Sequence, residues 1–231
     1  MKTIGLVGGT GWISTVEYYR IINEETNKRL GGLEFARCVL YSVNFGDIQR
    51  FNEKRETEGI FSLMLGAARK LETVGVDCIL LCANTMHMHA DRIEKEISVP
   101  LIHIAKATGA QIQKKNMKKV GLLGTRPTME LNFYTKKLAE QGITTLVPDK
   151  DERIFIQRTI DSELLMGIFL PDSKTRFLEI IQKLRSQGAE GVVLGCTEIP
   201  LLIKQEDIDF PLFNTTVIHS QAAVDFALGE N

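Results

Sequence analysis

The sequence predicts an α/β protein: two similar, doubly wound, mostly parallel-sheet domains related by a pseudo-twofold, with a cleft between them. Short apolar runs alternate with stretches of helical periodicity along the chain, the signature of parallel strands joined by helices. The pattern then restarts. Lys119–Thr128 (KVGLLGTRPT) resembles Thr3–Trp12 (TIGLVGGTGW), with Gly5 on Gly121 and Gly8 on Gly124. Three landmarks recur in the same order at separations of 116, 113 and 111 residues: Gly5/Gly121, Gly75/Gly188 and Pro100/Pro211. Such a period argues for two similar halves, near 1–116 and 117–231. The domain limits are drawn at 1–104 with 215–231 for the N-terminal domain and 105–214 for the C-terminal one.

In chain order, Thr3–Val7 is an apolar run closed by Gly8-Gly9-Thr10-Gly11, which predicts a buried strand and a glycine turn. Ser14 and Thr15 are candidate caps for a helix through Arg29. The glycines permit close backbone approach and a helix start offers free N–H groups, which suits a carboxylate or phosphate. A plain strand-to-helix turn explains the same residues. The spacing is neither a dinucleotide fingerprint nor a Walker loop. Ala36–Val43 predicts a second strand. The polar Asn44–Glu58 segment, with Arg50, Lys54 and Arg55, predicts an exposed loop or lid. An amphipathic helix at Ile60–Val74 leads to a strand at Val76–Cys82. A helix follows His87 to about Glu96, then a strand at Val99–Ile104 and a helix at Ala105–Lys114. After the restart, helices are expected at Met129–Gln141, Asp151–Met166 and Ser173–Gln187, with a strand near Thr144–Val147. The Gly191–Gly195 strand, the Phe210–Phe213 run and a helix at Val217–Leu228 close the second half.

The 231 residues are 44% hydrophobic and 25% charged, enough for a sizeable core. A net charge of −1 gives no electrostatic reason to expect nucleic acid or an anionic membrane as partner. The start lacks the pattern of a secretory signal, and no apolar run approaches a membrane span. The four cysteines show no disulfide-like spacing, so a reduced, cytoplasmic setting is expected. Cys38 and Cys78 sit in apolar strand patterns and read as buried hydrophobes. The His and Cys residues lack metal-ligand spacing, so no metal is expected. Neither a pyridoxal nor a nicotinamide motif is evident, so no cofactor is expected.

The chemistry points to the strand ends, where parallel α/β folds bind ligands. Gln187–Pro200 (QGAEGVVLGCTEIP) aligns with Val74–His87 (VGVDCILLCANTMH). In that register Thr197 falls on Asn84, and Cys196 is opposed by Ala83. The neighbouring thiol, Cys82, falls on Gly195. Adjacent strand residues point to opposite faces, so Cys82 is a poor substitute for a thiol at position 83. A cleft with equivalent thiols on its two walls suits removal of a proton from one face of a carbon and its return to the other. A thiol in a polar, donor-rich pocket can have its pKa lowered for this task. Thr85, Thr125, Thr128, Thr197 and the glycine-turn amides around Gly9 and Thr10 are candidates to hold a carboxylate and an enolate-like intermediate.

NTMH at Asn84–His87, GCTEIPLL at Gly195–Leu202, GGTGWIST at the first turn and GTRPTME at Gly124–Glu130 resemble the aspartate/glutamate racemase family, nearly end to end. MKTIG and GTRPTME are most similar to its broad-specificity amino-acid racemase branch. The resemblance implies a cofactor-independent enzyme with two α/β domains, and commonly a homodimer. It places the catalytic thiol at Cys196, with Asn84, Thr85, Thr125 and Thr197 around the carboxylate of a small-molecule amino acid. Two departures stand out. Two-thiol members carry Cys directly before Asn-Thr, and this chain has Ala83. Aspartate-type members carry Lys two residues before the glycine that here is Gly167, and this chain has Leu165. Glutamate or a neutral amino acid therefore stays open, with Arg50 or Arg126 as candidate partners for a side-chain carboxylate.

Around this site, Glu198 either orients Cys196 and joins in proton transfer or caps the following turn. His87 reads as a hydrogen-bonded helix-start residue, with proton relay as the sharper reading. His89 and His103 read as structural, and Trp12 as a packing residue. The favoured function is an amino-acid racemase with Cys196 as its one thiol. The alternatives are a single-Cys decarboxylase or isomerase of a dicarboxylate, and an amino-acid-binding protein without turnover.

Overall fold

In the computed structural model, which describes residues 1–230, the chain forms two compact units: Met1–His103 with the chain from His219 on, and Ile104–Ile218. Each is built on a wholly parallel sheet.

Unit 1 runs β1 (Ile4–Gly8), α1 (Trp12–Leu30), β2 (Cys38–Ser42), α2 (Phe45–Lys54), α3 (Thr57–Thr73), β3 (Cys78–Leu81) and a short α4 (Ala90–Ile93). Its sheet order is β2-β1-β3, and an isolated parallel bridge joins Ile79 to Leu101 beyond β3. Alternation along the strands builds two apolar layers. Val7, Ile79 and Leu81 pack with Ile48 of α2 and with Ile60, Met64 and Leu71 of α3. Ile4, Leu6, Cys78, Leu80 and Cys82 pack on the other face with Tyr18 and Ile22 of α1 and with Ala223, Val224 and Ala227. Each buried aliphatic side chain on these faces contributes about 1.5–3 kcal/mol.

Unit 2 runs α5 (Ile104–Lys114), β4 (Lys119–Gly124), α6 (Arg126–Glu130), α7 (Asn132–Ala139), β5 (Thr144–Leu146), α8 (Lys150–Ser162), α9 (Pro171–Ser186), β6 (Val192–Gly195), α10 (Ile199–Leu202) and β7 (Leu212–Asn214). The last helix, α11 (Thr215–Leu228), begins in this unit and continues in unit 1. The sheet order is β5-β4-β6-β7. Leu123, Val192 and Leu194 face Ile156, Phe177 and Ile181 of α8 and α9. Val120, Leu122 and Val193 face Ile104, Ile112, Tyr134 and Leu138 of α5 and α7. The two sheets share one topology, with the Leu101 bridge standing where unit 2 has β7.

Several expectations are corrected. Asn44–Glu58 is not an exposed loop: it holds α2 and the start of α3. Phe45, Ile48 and Phe51 recur at helical spacing, Ile48 is buried, and the Asn44 side chain caps the helix by accepting from the Gly46 N–H. Val99–Ile104 is a single bridge rather than a strand: the Ile79 N–H donates to the Pro100 carbonyl and the Ile102 N–H to the Ile79 carbonyl, and α5 begins at Ile104. The first helix starts at Trp12 with Gly11 as N-cap, so Ser14 and Thr15 lie inside it. Trp12 is 69% exposed and packs little. The Met129–Gln141 helix is two helices that break at Leu131, where the backbone is extended. Asp151–Met166 ends its α-helical part at Ser162 and finishes in a 3-10 turn.

Candidate active site

In unit 2, β6 delivers its carboxyl end into the turn Cys196-Thr197-Glu198. Thr215 donates its hydroxyl to the Leu194 carbonyl at 2.8 Å and ties the strand end down. The three turn residues are buried. Cys196 donates its S–H to Glu198 Oε2 at 3.0 Å, and Thr197 donates its hydroxyl to the same oxygen at 3.0 Å. Burial pushes the Cys196 thiol well above its ordinary value, and the Glu198 carboxylate pushes it further. The backbone N–H groups of Glu198 and Ile199 oppose this and lose. The expectation of a lowered thiol pKa is therefore corrected. The resting group is a neutral S–H aimed at a carboxylate, because its nearest charge is negative and water is excluded.

The neighbouring strand end is β4. Gly124 pairs with Gly195 across the ladder, so the turns after β4 and β6 start side by side. A Cβ on Gly124 would meet the Gly195 carbonyl, so this close approach requires glycine. Thr125 caps α6 by accepting from the Thr128 N–H, and the two hydroxyls lie 3.0 Å apart. Arg126 turns outward to Glu130 at 3.2 Å, and its backbone N–H donates to Gln157 Oε1 at 2.7 Å. Leu165 packs against the unit's core.

In unit 1, β1 ends in the glycine turn and β3 in Ala83-Asn84-Thr85. Gly9 has a φ of +88°, and a Cβ there would overlap the Val43 carbonyl oxygen. Its N–H donates to Thr15 Oγ1 at 3.0 Å, and Thr15 Oγ1 donates onward to the Gly11 carbonyl at 2.8 Å. Thr15 thus braces the turn; its place four residues after Gly11 was the available sequence signal. Thr10 is buried, and its hydroxyl meets no hydrogen-bond partner among the described residues. Asn84 is buried and Thr85 half-buried. Arg50 lies on the exposed face of α2, paired with Asp47. Cys82 packs in the apolar layer with Ile4 and Leu6, and burial raises its thiol pKa. Ala83 packs with the opposite layer.

The ladders fix the equivalence of the two turns. Val7 pairs with Leu81 in unit 1, and Leu123 with Leu194 in unit 2. Two residues beyond Leu81 and Leu194 stand Ala83 and Cys196. The histidines form a cluster that the sequence did not disclose: His87 and His103 lie 4.8 Å apart between ring centroids, and His87 and His219 lie 5.4 Å apart. Among the described residues no group of three His, Cys, Asp or Glu side chains could hold a metal ion, and no helix is long and apolar enough to cross a membrane.

Comparison with known proteins agrees with this architecture. The family described as Asp/Glu/hydantoin racemase matches residues 7–223. The broad-specificity amino-acid racemase RacX of Bacillus subtilis is 24% identical, over 96% of each chain. The crystal structure of a candidate Asp/Glu racemase from Yersinia pestis superposes with a TM-score of 0.92 at 44% identity, covering 99% of this chain and 100% of that one. The structure of an aspartate racemase homologue from Pyrococcus horikoshii gives 0.86 at 36%, with the same coverage. The resemblance read from the sequence holds over the whole fold, and the chain belongs to the Asp/Glu/hydantoin racemase family.

Proposed function

We propose that this protein is a cofactor-independent amino-acid racemase in which Cys196 moves the α-proton on one face of the substrate. The observation that carries the reading is the buried Cys196–Glu198 contact at the end of β6, 3.0 Å long, with Thr197 on the same carboxylate oxygen. As a base, Cys196 first passes its S–H proton to Glu198. The substrate Cα–H bond then breaks, its proton goes to sulfur, and its electron pair is delocalised into the substrate carboxylate. As an acid, Cys196 gives its S–H proton to that carbanion directly. Gly9, Thr10, Asn84, Thr85, Thr125 and Thr128 are proposed to hold the amino acid, with Arg50 a weaker candidate because it is exposed and paired with Asp47.

Ala83 has no proton to exchange. The second face is left to water or to a hydroxyl such as Thr85. The two enantiomers then turn over at unequal rates, with the equilibrium unchanged by microscopic reversibility. The proposal includes a cytoplasmic homodimer, which sedimentation can test.

The test is α-proton exchange in D2O, followed by NMR with both enantiomers of aspartate, glutamate and several neutral amino acids. Exchange with at least one of them that disappears in Cys196→Ala supports the reading. Inversion that rises in Ala83→Cys supports the role given to position 83. The single thiol also favours a second reading, a decarboxylase or isomerase of a dicarboxylate. Turnover of a dicarboxylate with no exchange of any amino acid would select it, and binding of an amino acid without exchange would select a non-catalytic binding protein.

A further inference from the structure

Unit 1 buries four histidines that the proposed proton transfer does not use, and three of them, His87, His103 and His219, cluster. His219 is fully buried, and His87 and His103 nearly so. The Tyr18 hydroxyl lies 2.9 Å from His219 Nδ1, and His219 Nε2 lies 2.7 Å from the Ile102 carbonyl oxygen. His87 Nδ1 lies 2.9 Å from the Ala83 carbonyl oxygen. A carbonyl oxygen only accepts, so each imidazole nitrogen facing one must carry the proton. His219 is therefore protonated on Nε2, and its Nδ1 accepts from Tyr18. His87 is protonated on Nδ1. Burial keeps both rings neutral, with His87 pulled down to about 4 and His219 to about 3. Two rings in edge contact thus carry opposite tautomers, His87 with its Nδ1 proton toward the Ala83 carbonyl and His219 with its Nε2 proton toward the Ile102 carbonyl.

His87 also uses its backbone. Its N–H donates to the Asn84 carbonyl at 3.0 Å, closing the 3-10 turn Thr85–His89. One residue therefore holds two successive carbonyls, Ala83 by side chain and Asn84 by main chain. Without the side-chain bond the peptide between Ala83 and Asn84 loses the contact that the His87 ring makes to its carbonyl.

We propose that His87, held in its Nδ1–H tautomer by the Ala83 carbonyl, is a positioning residue that fixes the Ala83 peptide and so aims the Ala83-Asn84-Thr85 turn. Its effect on turnover rests on the racemase reading; its effect on the turn does not.

The test separates donor position from ring packing. Asn places an N–H where Nδ1 stands, Gln places one where Nε2 stands, and Phe keeps the ring and removes the donor. His87→Asn is expected to keep most of the α-proton exchange. His87→Gln and His87→Phe are expected to lose about 100-fold, as for a reacting group displaced by about an ångström. Nitrogen-15 imidazole spectra of the unmodified protein at neutral pH are expected to show His87 protonated on Nδ1 and His219 on Nε2. A proton on Nε2 of His87, or exchange in His87→Gln equal to that in His87→Asn, would overturn the proposal. If His87→Phe does not fold, the Asn and Gln pair still decides. If the unmodified protein exchanges no amino acid, the racemase reading falls, and the Asn84 and Thr85 amide shifts judge the brace. Movement in His87→Gln but not in His87→Asn supports it, and equal movement or none overturns it.

Discussion

Cys196 and Glu198 set the chemistry at the scale of single residues. Two donors, one thiol and one hydroxyl, converge on a single carboxylate oxygen in a buried turn. Replacing Glu198 by Gln removes the negative charge that disfavours the thiolate. The midpoint of Cys196 alkylation by iodoacetamide should then move down by about one pH unit. Racemisation should fall by about 100-fold or more, since the proton acceptor is gone. An unchanged alkylation profile would remove Glu198 from the thiol's electrostatics. Gly9 makes a second residue-scale case. Its positive φ and the Val43 carbonyl leave no room for a Cβ. Gly9→Ala should cost at least about 2 kcal/mol in urea unfolding, because the obstructing atom belongs to the backbone. Cys196, Thr197 and Glu198 were legible from the internal repeat. The direction of the thiol's pKa was not, because it depends on burial and on where one carboxylate oxygen points.

The stretch from Asn44 to Glu58 shows what was misread at the scale of elements. Its polarity suggested a loop, yet Phe45, Ile48 and Phe51 give it an apolar stripe and Asn44 gives it a cap. Ile48→Ala should therefore destabilise the protein by about 3 kcal/mol, read from the shift of the urea midpoint. A change within about 0.5 kcal/mol, as expected of an exposed surface site, would restore the loop reading. The Val99–Ile104 run shows the reverse error. Its apolar residues promised a strand, but the ladder beyond β3 is one bridge at Leu101. Local pattern does not distinguish an extended run that makes one bridge from a full strand, and it understates helices whose polar face is wide. The strands carrying the candidate site were legible because they are buried on both faces and nearly free of polar residues.

The repeat governs the behaviour of the whole molecule. Two sheets of one topology carry equivalent strand-end turns, one ending in Cys196 and the other in Ala83. Its stability should also fall in acid for a reason specific to this chain. His87 and His219 ordinarily titrate near 6.5, but burial pulls them to about 4 and about 3. Between those values and 6.5 the unfolded chain binds protons that the folded chain refuses. Their contribution is full above about pH 6.5 and is lost as the pH falls toward 4 and 3. The urea midpoint should thus be lower at pH 5 than at pH 7.5, and His219→Gln, which keeps the Nε2 donor, should flatten the difference. A pH-independent midpoint across that window would contradict the neutral, buried assignment.

The sequence by itself determined the fold class, the internal repeat, the family and the pairing of Ala83 with Cys196. The fold class, the repeat and the pairing depend on periodicity and spacing, which local chemistry writes directly into the chain, and the family on the resemblance of motifs such as GCTEIPLL and GTRPTME. Only the tertiary structure decided that Cys196 rests as a neutral thiol against Glu198, that Cys82 points into an apolar layer, and that His87 grips the Ala83 carbonyl beside His103 and His219. Those facts arise from burial, which distant parts of the chain supply, and from where one oxygen or one ring nitrogen points, and these outweigh what each residue prefers alone.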